Sequence, residues 1–194
     1  MFTRGRLIVA ASTLGALSIA GASVGVPAAG ASPSSVAQKP TSGLLSAAAA
    51  KKLGFPKTYS KPTTSSKTDQ AGCPKAAAVS YENTRATSGI EAEILVCNTS
   101  KAATTALSGL KSSVTASTAH KPPKQLGSTA MEVSSGQSTY AIVWQRGRLL
   151  GVLAYDTDVA ASSSSTTTAT PTPLTAAQQA MLSSAALVQD KNLK

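Results

Sequence analysis

"YAIVWQRGRLLGVLAYDTD", running from Tyr140 to Asp158, is the stretch on which the fold turns. It contains the only Trp of the chain, two of its four Tyr, and two Arg on either side of Gly147. Tyr140, Ile142 and Trp144 alternate with Ala141 and Val143, so one strand is apolar on both faces. The return run from Leu149 to Tyr155 has no polar face either. Strands of this kind belong in the middle of a sheet covered on both sides, or on one side plus a ligand cavity. The charges are confined to the turn, where Gln145-Arg146-Gly147 predicts a three-residue hairpin loop with Gly147 in the left-handed conformation. The favoured reading is two buried strands and their turn. The competing one is an aromatic and cationic binding site built from Tyr140, Trp144, Arg146, Arg148 and Tyr155.

Upstream, two further runs show a period of two. In "KAAAVSYE" the residues Ala77, Val79 and Tyr81 share a face, and in "GIEAEILVC" so do Ile90, Ala92, Ile94 and Val96, with Glu91 and Glu93 opposite. "NTRATSG" joins them as a hairpin and leaves Cys73 and Cys97 near its open end, about one residue out of opposition. "NTSKAATTALSGLKSSV" then predicts a helix capped by Thr99 or Ser100, with Ala103, Leu107, Leu110 and Val114 as one apolar stripe. A short strand follows, with Met131 and Val133 inward and Glu132 outward.

A leading helix is expected in "TSGLLSAAAAKKLGFP", capped by Thr41 or Ser42, with Leu44, Leu45, Ala48 and Leu53 inward and Gly54 and Pro56 as its stop. From there to Gly72 the sequence reads as a loop of Pro, Ser, Thr and Lys. The closing helix, "LTAAQQAMLSSAALVQDKNLK", opens on a capping box of Thr175 and Gln178 and places Ala177, Met181, Leu182, Ala185 and Val188 on one face. The sum is an α+β domain in the order α-β-β-α-β-β-β-α, an antiparallel sheet of about five strands carrying three helices.

The N-terminus has the layout of a secretory signal peptide: Arg4 and Arg6, an uncharged stretch from Leu7 to Val26, and a small-residue cleavage site at Ala29-Gly30-Ala31. Residues 1–31 are the expected signal, cleaved after Ala31, and 32–42 a flexible segment. Residues 43–194 form one domain with a Ser/Thr/Pro-rich loop at 160–173 that could carry sugars. The uncharged stretch is also long enough to be a retained membrane anchor. With cleavage, no stable membrane span remains. No Cys near the site provides for a lipid anchor, and Arg4 and Arg6 are not a twin-arginine pair. Two cysteines in an exported chain predict one disulfide, Cys73 to Cys97, and their spacing fits a staple better than a redox-active pair.

The formal net charge of +10 favours anionic surfaces such as wall polymers or lipid headgroups, and also aids solubility. Its densest group is Lys51, Lys52, Lys57, Lys61, Lys67 and Lys75, opposed only by Asp69. Nucleic acid is a poor partner for an exported chain with few exposed aromatics for base stacking. Catalytic patterns are missing. His120 is the only His and stands in a loop beside Pro122-Pro123, too few ligands for zinc and with no nucleophile elbow to serve. Glu91 and Glu93 read as the wet side of a hairpin, and Asp156 and Asp158 alone would make a weak calcium site. No catalytic residue, metal site, cofactor or enzymatic activity is expected.

The leading helix with Leu44 and Leu45, Cys73 before a strand pair, Cys97 before a capped helix, the W-x-R-G hairpin and the "LTAAQQAMLSSAALVQ" helix resemble small exported actinobacterial α+β proteins. These are similar to the extracellular sensor domain of actinobacterial serine/threonine kinases. This chain has one candidate disulfide and neither a kinase domain nor a following span, so no ligand residues carry over. Two functions are expected: a secreted non-enzymatic binding or sensor-like module for a small apolar molecule, lipid or wall fragment, or a wall-associated surface or inhibitor protein acting through basic loops.

Overall fold

The computed structural model describes residues 36, 39–66, 68, 72–113, 121–135, 139–157 and 173–193. Six antiparallel strands form one sheet: β1 (Lys57–Ser65), β2 (Lys75–Glu82), β3 (Gly89–Val96), β4 (Met131–Ser135), β5 (Thr139–Arg146) and β6 (Leu149–Asp156). Their spatial order is β1-β2-β3-β6-β5-β4. The helices are α1 (Ala47–Lys52), α2 (Ser100–Ser113) and α3 (Ala176–Asn192), with short 3-10 turns at Pro40–Gly43 and Lys124–Leu126. The expected class holds with six strands in place of about five, in the order α-β-β-β-α-β-β-β-α.

The sixth strand is β1, in the segment expected to be a loop. Eight of its nine residues are exposed, so "KTYSKPTTS" has no apolar alternation to announce it. Backbone pairing with β2 and the β propensity of its Thr and Tyr hold it in place, and two register shifts, between Thr58 and Ser60 and between Ser60 and Thr63, accommodate it. Pro62 and Lys61 are tolerated because its outer side is the edge of the sheet.

β6 lies in the interior of the sheet, as an all-apolar run requires, paired with β3 on one side and β5 on the other. One face carries Val79, Tyr81, Ile90, Ile94, Ile142, Trp144 and Leu153 against α3 and the N-terminal segment. The other carries Leu95, Val143 and Leu150 against Ala103, Leu107 and Leu110 of α2. The expected stripe on α2 is confirmed over these three residues; Val114 lies outside the described ones. Cys73 and Cys97 are joined, both buried under α2.

Three local expectations are corrected. The leading helix is broken: Leu44 and Leu45 both enter the core in an extended stretch, and α1 starts only after Ser46, whose Oγ accepts from Ala49 N at 3.2 Å. Ala48 is exposed and Ala50 buried as a result. The β5–β6 loop has two residues, because Arg146 pairs with Leu149 and Gly147 alone has positive φ. Glu132 faces the larger core and is 3% exposed, since Gln179 of α3 donates to it from Nε2 at 2.6 Å, while Met131 and Val133 are half-buried on the other face. The capping box of Thr175 and Gln178 is present at the start of α3.

Candidate functional site

A cleft among the described residues lies at the β1 end of the sheet. Gly43 starts it: a Cβ there would stand 2.6 Å from Ile94 Cδ1 and 2.8 Å from Val36 Cγ1, so only glycine lets the N-terminal segment approach β3 this closely. The segment then crosses the sheet face as Leu44-Leu45-Ser46. Two side chains pin it there. Tyr81 of β2 donates its hydroxyl to Leu45 O at 2.8 Å, and Asn192 at the end of α3 donates from Nδ2 to Leu44 O at 3.2 Å.

Between this segment and β1 is a cavity of about 460 Å³, partly open to solvent. That is within the usual size for a small-ligand site. Thr41, Ser42, Ser46 and Ala47 form one side, Thr58 and Pro62 of β1 the other, and Tyr81 and Asn192 close it. Leu44 and Leu45 add apolar surface. No charged residue lines it. Tyr81 is its only titratable group, with a pKa raised by burial.

The surroundings are cationic. Lys39, Lys51, Lys52, Lys57 and Lys61 are all exposed, and residues 39–66 contain no acid. Lys57 stands opposite Glu82 of β2 in the strand register, and its Nζ donates to Thr84 O at 2.5 Å.

None of the five residues named in the hairpin lines this cavity. Tyr140, Trp144 and Tyr155 lie in the larger core, with Trp144 fully enclosed. Tyr155 packs edge-on against Phe55 with ring centres 6.1 Å apart and accepts from Gln178 Nε2 at 3.2 Å. Burial and the nearby Glu132 raise the Tyr140 pKa. Arg146 holds Asp190 of α3 in a fork, Nε to Oδ1 at 2.5 Å and Nη2 to Oδ2 at 2.8 Å, and also donates to Gln125 O at 2.6 Å. It thereby ties β5, α3 and the 3-10 turn together. Arg148 is half-buried in the turn, and its carbonyl accepts from Cys97 N at 2.9 Å.

Glu91 and Glu93 project from the face of β3 opposite Ile90, Ala92 and Ile94, but that face is not the expected wet side: α2 packs over Leu95 there and both carboxylates are half-buried. Glu93 stands in a row with Ala78 and Val152, and burial pushes its carboxyl up to about 7. Asp156 is buried, whereas His120, Asp158 and the loop from 160 to 172 lie outside the described residues. Among the described residues no three His, Cys, Asp or Glu stand together as a metal site, and no helix is long and apolar enough to cross a membrane.

Sequence reasoning did not find the cleft, because its lining is small hydroxyl residues and aliphatics drawn from four separate segments. The one available signal was Tyr59, exposed and adjacent to the lining residue Thr58. The chain matches no family model, no curated protein and no solved structure.

Proposed function

We propose that this chain is an exported, non-enzymatic binding module, and that it takes its ligand in the cleft between the N-terminal segment, β1 and β2. The observation that carries the reading is the cleft itself: of ligand size, walled by a segment pinned through Tyr81 and Asn192, and lined without acid, base or thiol. Such a lining can orient a ligand by hydrogen bonds and apolar contact, and it brings no carboxylate, imidazole, amine or thiol beside its hydroxyls to activate them. Export is supported by the leader pattern of residues 1–31 and is compatible with the buried Cys73–Cys97 disulfide. A sensor-like role belongs to the same proposal.

A second reading has its own support in the exposed lysines of 39–61, which would hold the protein on an anionic wall. Both are tested by passing envelope fragments from secreting cells over immobilised protein. The cleft reading expects retention by the natural chain and loss with Ala47→Trp, an exposed position on the cleft wall where the indole would fill the space. Equal retention by both proteins, released by moderate salt, would overturn it in favour of surface adhesion.

A further inference from the structure

We propose that the ligand of this cleft is an acidic glycan, with the hydroxyl face of a sugar ring seated in the cavity and the carboxylates of the polymer turned outward to the flanking lysines. The inference rests on the reading of the cleft as the binding site and adds the chemical class of what it binds.

Hydrogen-bonding capacity sets the first constraint. Thr41, Ser42, Ser46 and Thr58 bring four aliphatic hydroxyls to the lining, and Asn192 an amide. Ser42 Oγ donates to Lys39 O at 2.8 Å and so retains lone pairs to accept with, while Ser46 Oγ accepts from Ala49 N and so retains a proton to donate. A purely apolar ligand would strip these groups of water and return nothing. A charged group inside the cavity would meet no opposite charge. A polyol matches donors with acceptors and lays its C–H faces on Leu44, Pro62 and Ala47.

Tyr59 points the same way. The other three Tyr are 3–6% exposed, yet Tyr59 is 38% exposed and is the one exposed large hydrophobic residue among those described. It sits on β1 between the two residues of that strand that line the cavity, Thr58 and Pro62. An accessible aromatic ring next in sequence to the lining residue Thr58 offers a stacking surface for the flat C–H face of a pyranose beyond the cavity.

Charge sets the third constraint. Five exposed lysines and no acid in residues 39–66, with Glu82 of β2 facing Lys57 across the strand pair, leave a net positive charge around an uncharged cavity. A neutral polysaccharide would leave that field unused, and a bare polyanion would leave the hydroxyl lining unused. A sugar polymer bearing carboxylates uses both.

The test is calorimetry of the folded, oxidised chain at about 50 mM and 500 mM salt with four probes: oligogalacturonate, a neutral maltooligosaccharide, inorganic polyphosphate and an anilinonaphthalene sulfonate dye. Oligogalacturonate is expected to saturate one site about tenfold more tightly than the neutral sugar at low salt, with the two converging at high salt. Ala47→Glu and Ala47→Gln take up the same space, so the neutral sugar should bind both variants alike, while the acidic sugar should bind Ala47→Glu about tenfold more weakly than Ala47→Gln. Polyphosphate binding as tightly as oligogalacturonate and unaffected by Ala47→Trp would overturn the glycan assignment, leaving charge alone. Dye binding displaced by Ala47→Trp, with no sugar binding, would also overturn it while the cleft remains the site. Ala47→Trp with unchanged binding of every probe would overturn the cleft reading itself.

Discussion

Gly151→Ala is the substitution whose cost follows from the packing of β5 on β6. Gly151 pairs with Trp144 across β5 and β6, and a Cβ built there lies 2.4, 2.5 and 2.9 Å from three atoms of the indole. Carbon atoms in contact normally stand about 3.5–4.0 Å apart, so the ring would have to retreat by about 1 Å. It has nowhere to go, since Trp144 is 0% exposed and packed in the larger core. Overpacking of this kind costs about 1–3 kcal/mol, and the upper part of that range applies because a rigid ring meets backbone. The narrower unfolded ensemble of Ala offsets about 0.5–1 kcal/mol. A net loss of about 2 kcal/mol, or about 4–8 °C in Tm, is expected by urea and thermal unfolding followed by far-ultraviolet circular dichroism. Trp144→Phe removes the atoms that clash, so in that background Gly151→Ala should cost under about 1 kcal/mol, a coupling of at least about 1 kcal/mol in the double-mutant cycle. A neutral Gly151→Ala, or strictly additive effects, would refute the packing described for β5 and β6.

Glu93 predicts a pH dependence. Burial raises its folded pKa to about 7, above its ordinary value, so its contribution is fully present in acid and is lost as pH rises through about 7. Glu93→Gln should therefore stabilise the protein by about 2–3 kcal/mol at pH 8 and by almost nothing at pH 4, as read from urea midpoints at the two pH values. Arg146→Ala leaves the Asp190 carboxylate, 3% exposed, without its fork and should cost about 2–4 kcal/mol in the same assay, whereas Arg146→Lys should recover only part of this. Reducing the Cys73–Cys97 bond, which closes a loop of about 25 residues, should lower stability by about 3.5 kcal/mol in the chain-entropy model, with the Cys73→Ala, Cys97→Ala pair matching the reduced protein.

The parts of the fold legible in the sequence were those where burial imposes a period. β2 and β3 alternate because their larger-core side is apolar while the other side mixes Ala76, Glu91, Glu93 and Leu95, and β5 and β6 lose alternation because both their faces are apolar. β1 has neither signature, being an edge strand exposed along nearly its whole length and held by backbone pairing. Glu132 misled for a related reason. A carboxylate on a strand normally marks the wet face, but a donor from α3, distant in sequence, turned it inward. The hairpin, read from the sequence chiefly as two buried strands and their turn, is rich in Trp, Tyr and Arg because those residues tie the sheet to its cover, with Arg146 on Asp190 of α3 and Tyr155 against Phe55. The cleft was illegible because Thr, Ser and Leu acquire meaning there only once Gly43, Tyr81 and Asn192 bring the segments together.

The location of ligand recognition is tested most directly by the amide chemical-shift footprint of the labelled, oxidised protein titrated with envelope fragments from the cells that secrete it. A saturable footprint on residues 41–47, Thr58, Tyr81 and Asn192 is the predicted result. A footprint centred on residues 140–155, or saturable binding that leaves those cleft amides unmoved, would contradict the account.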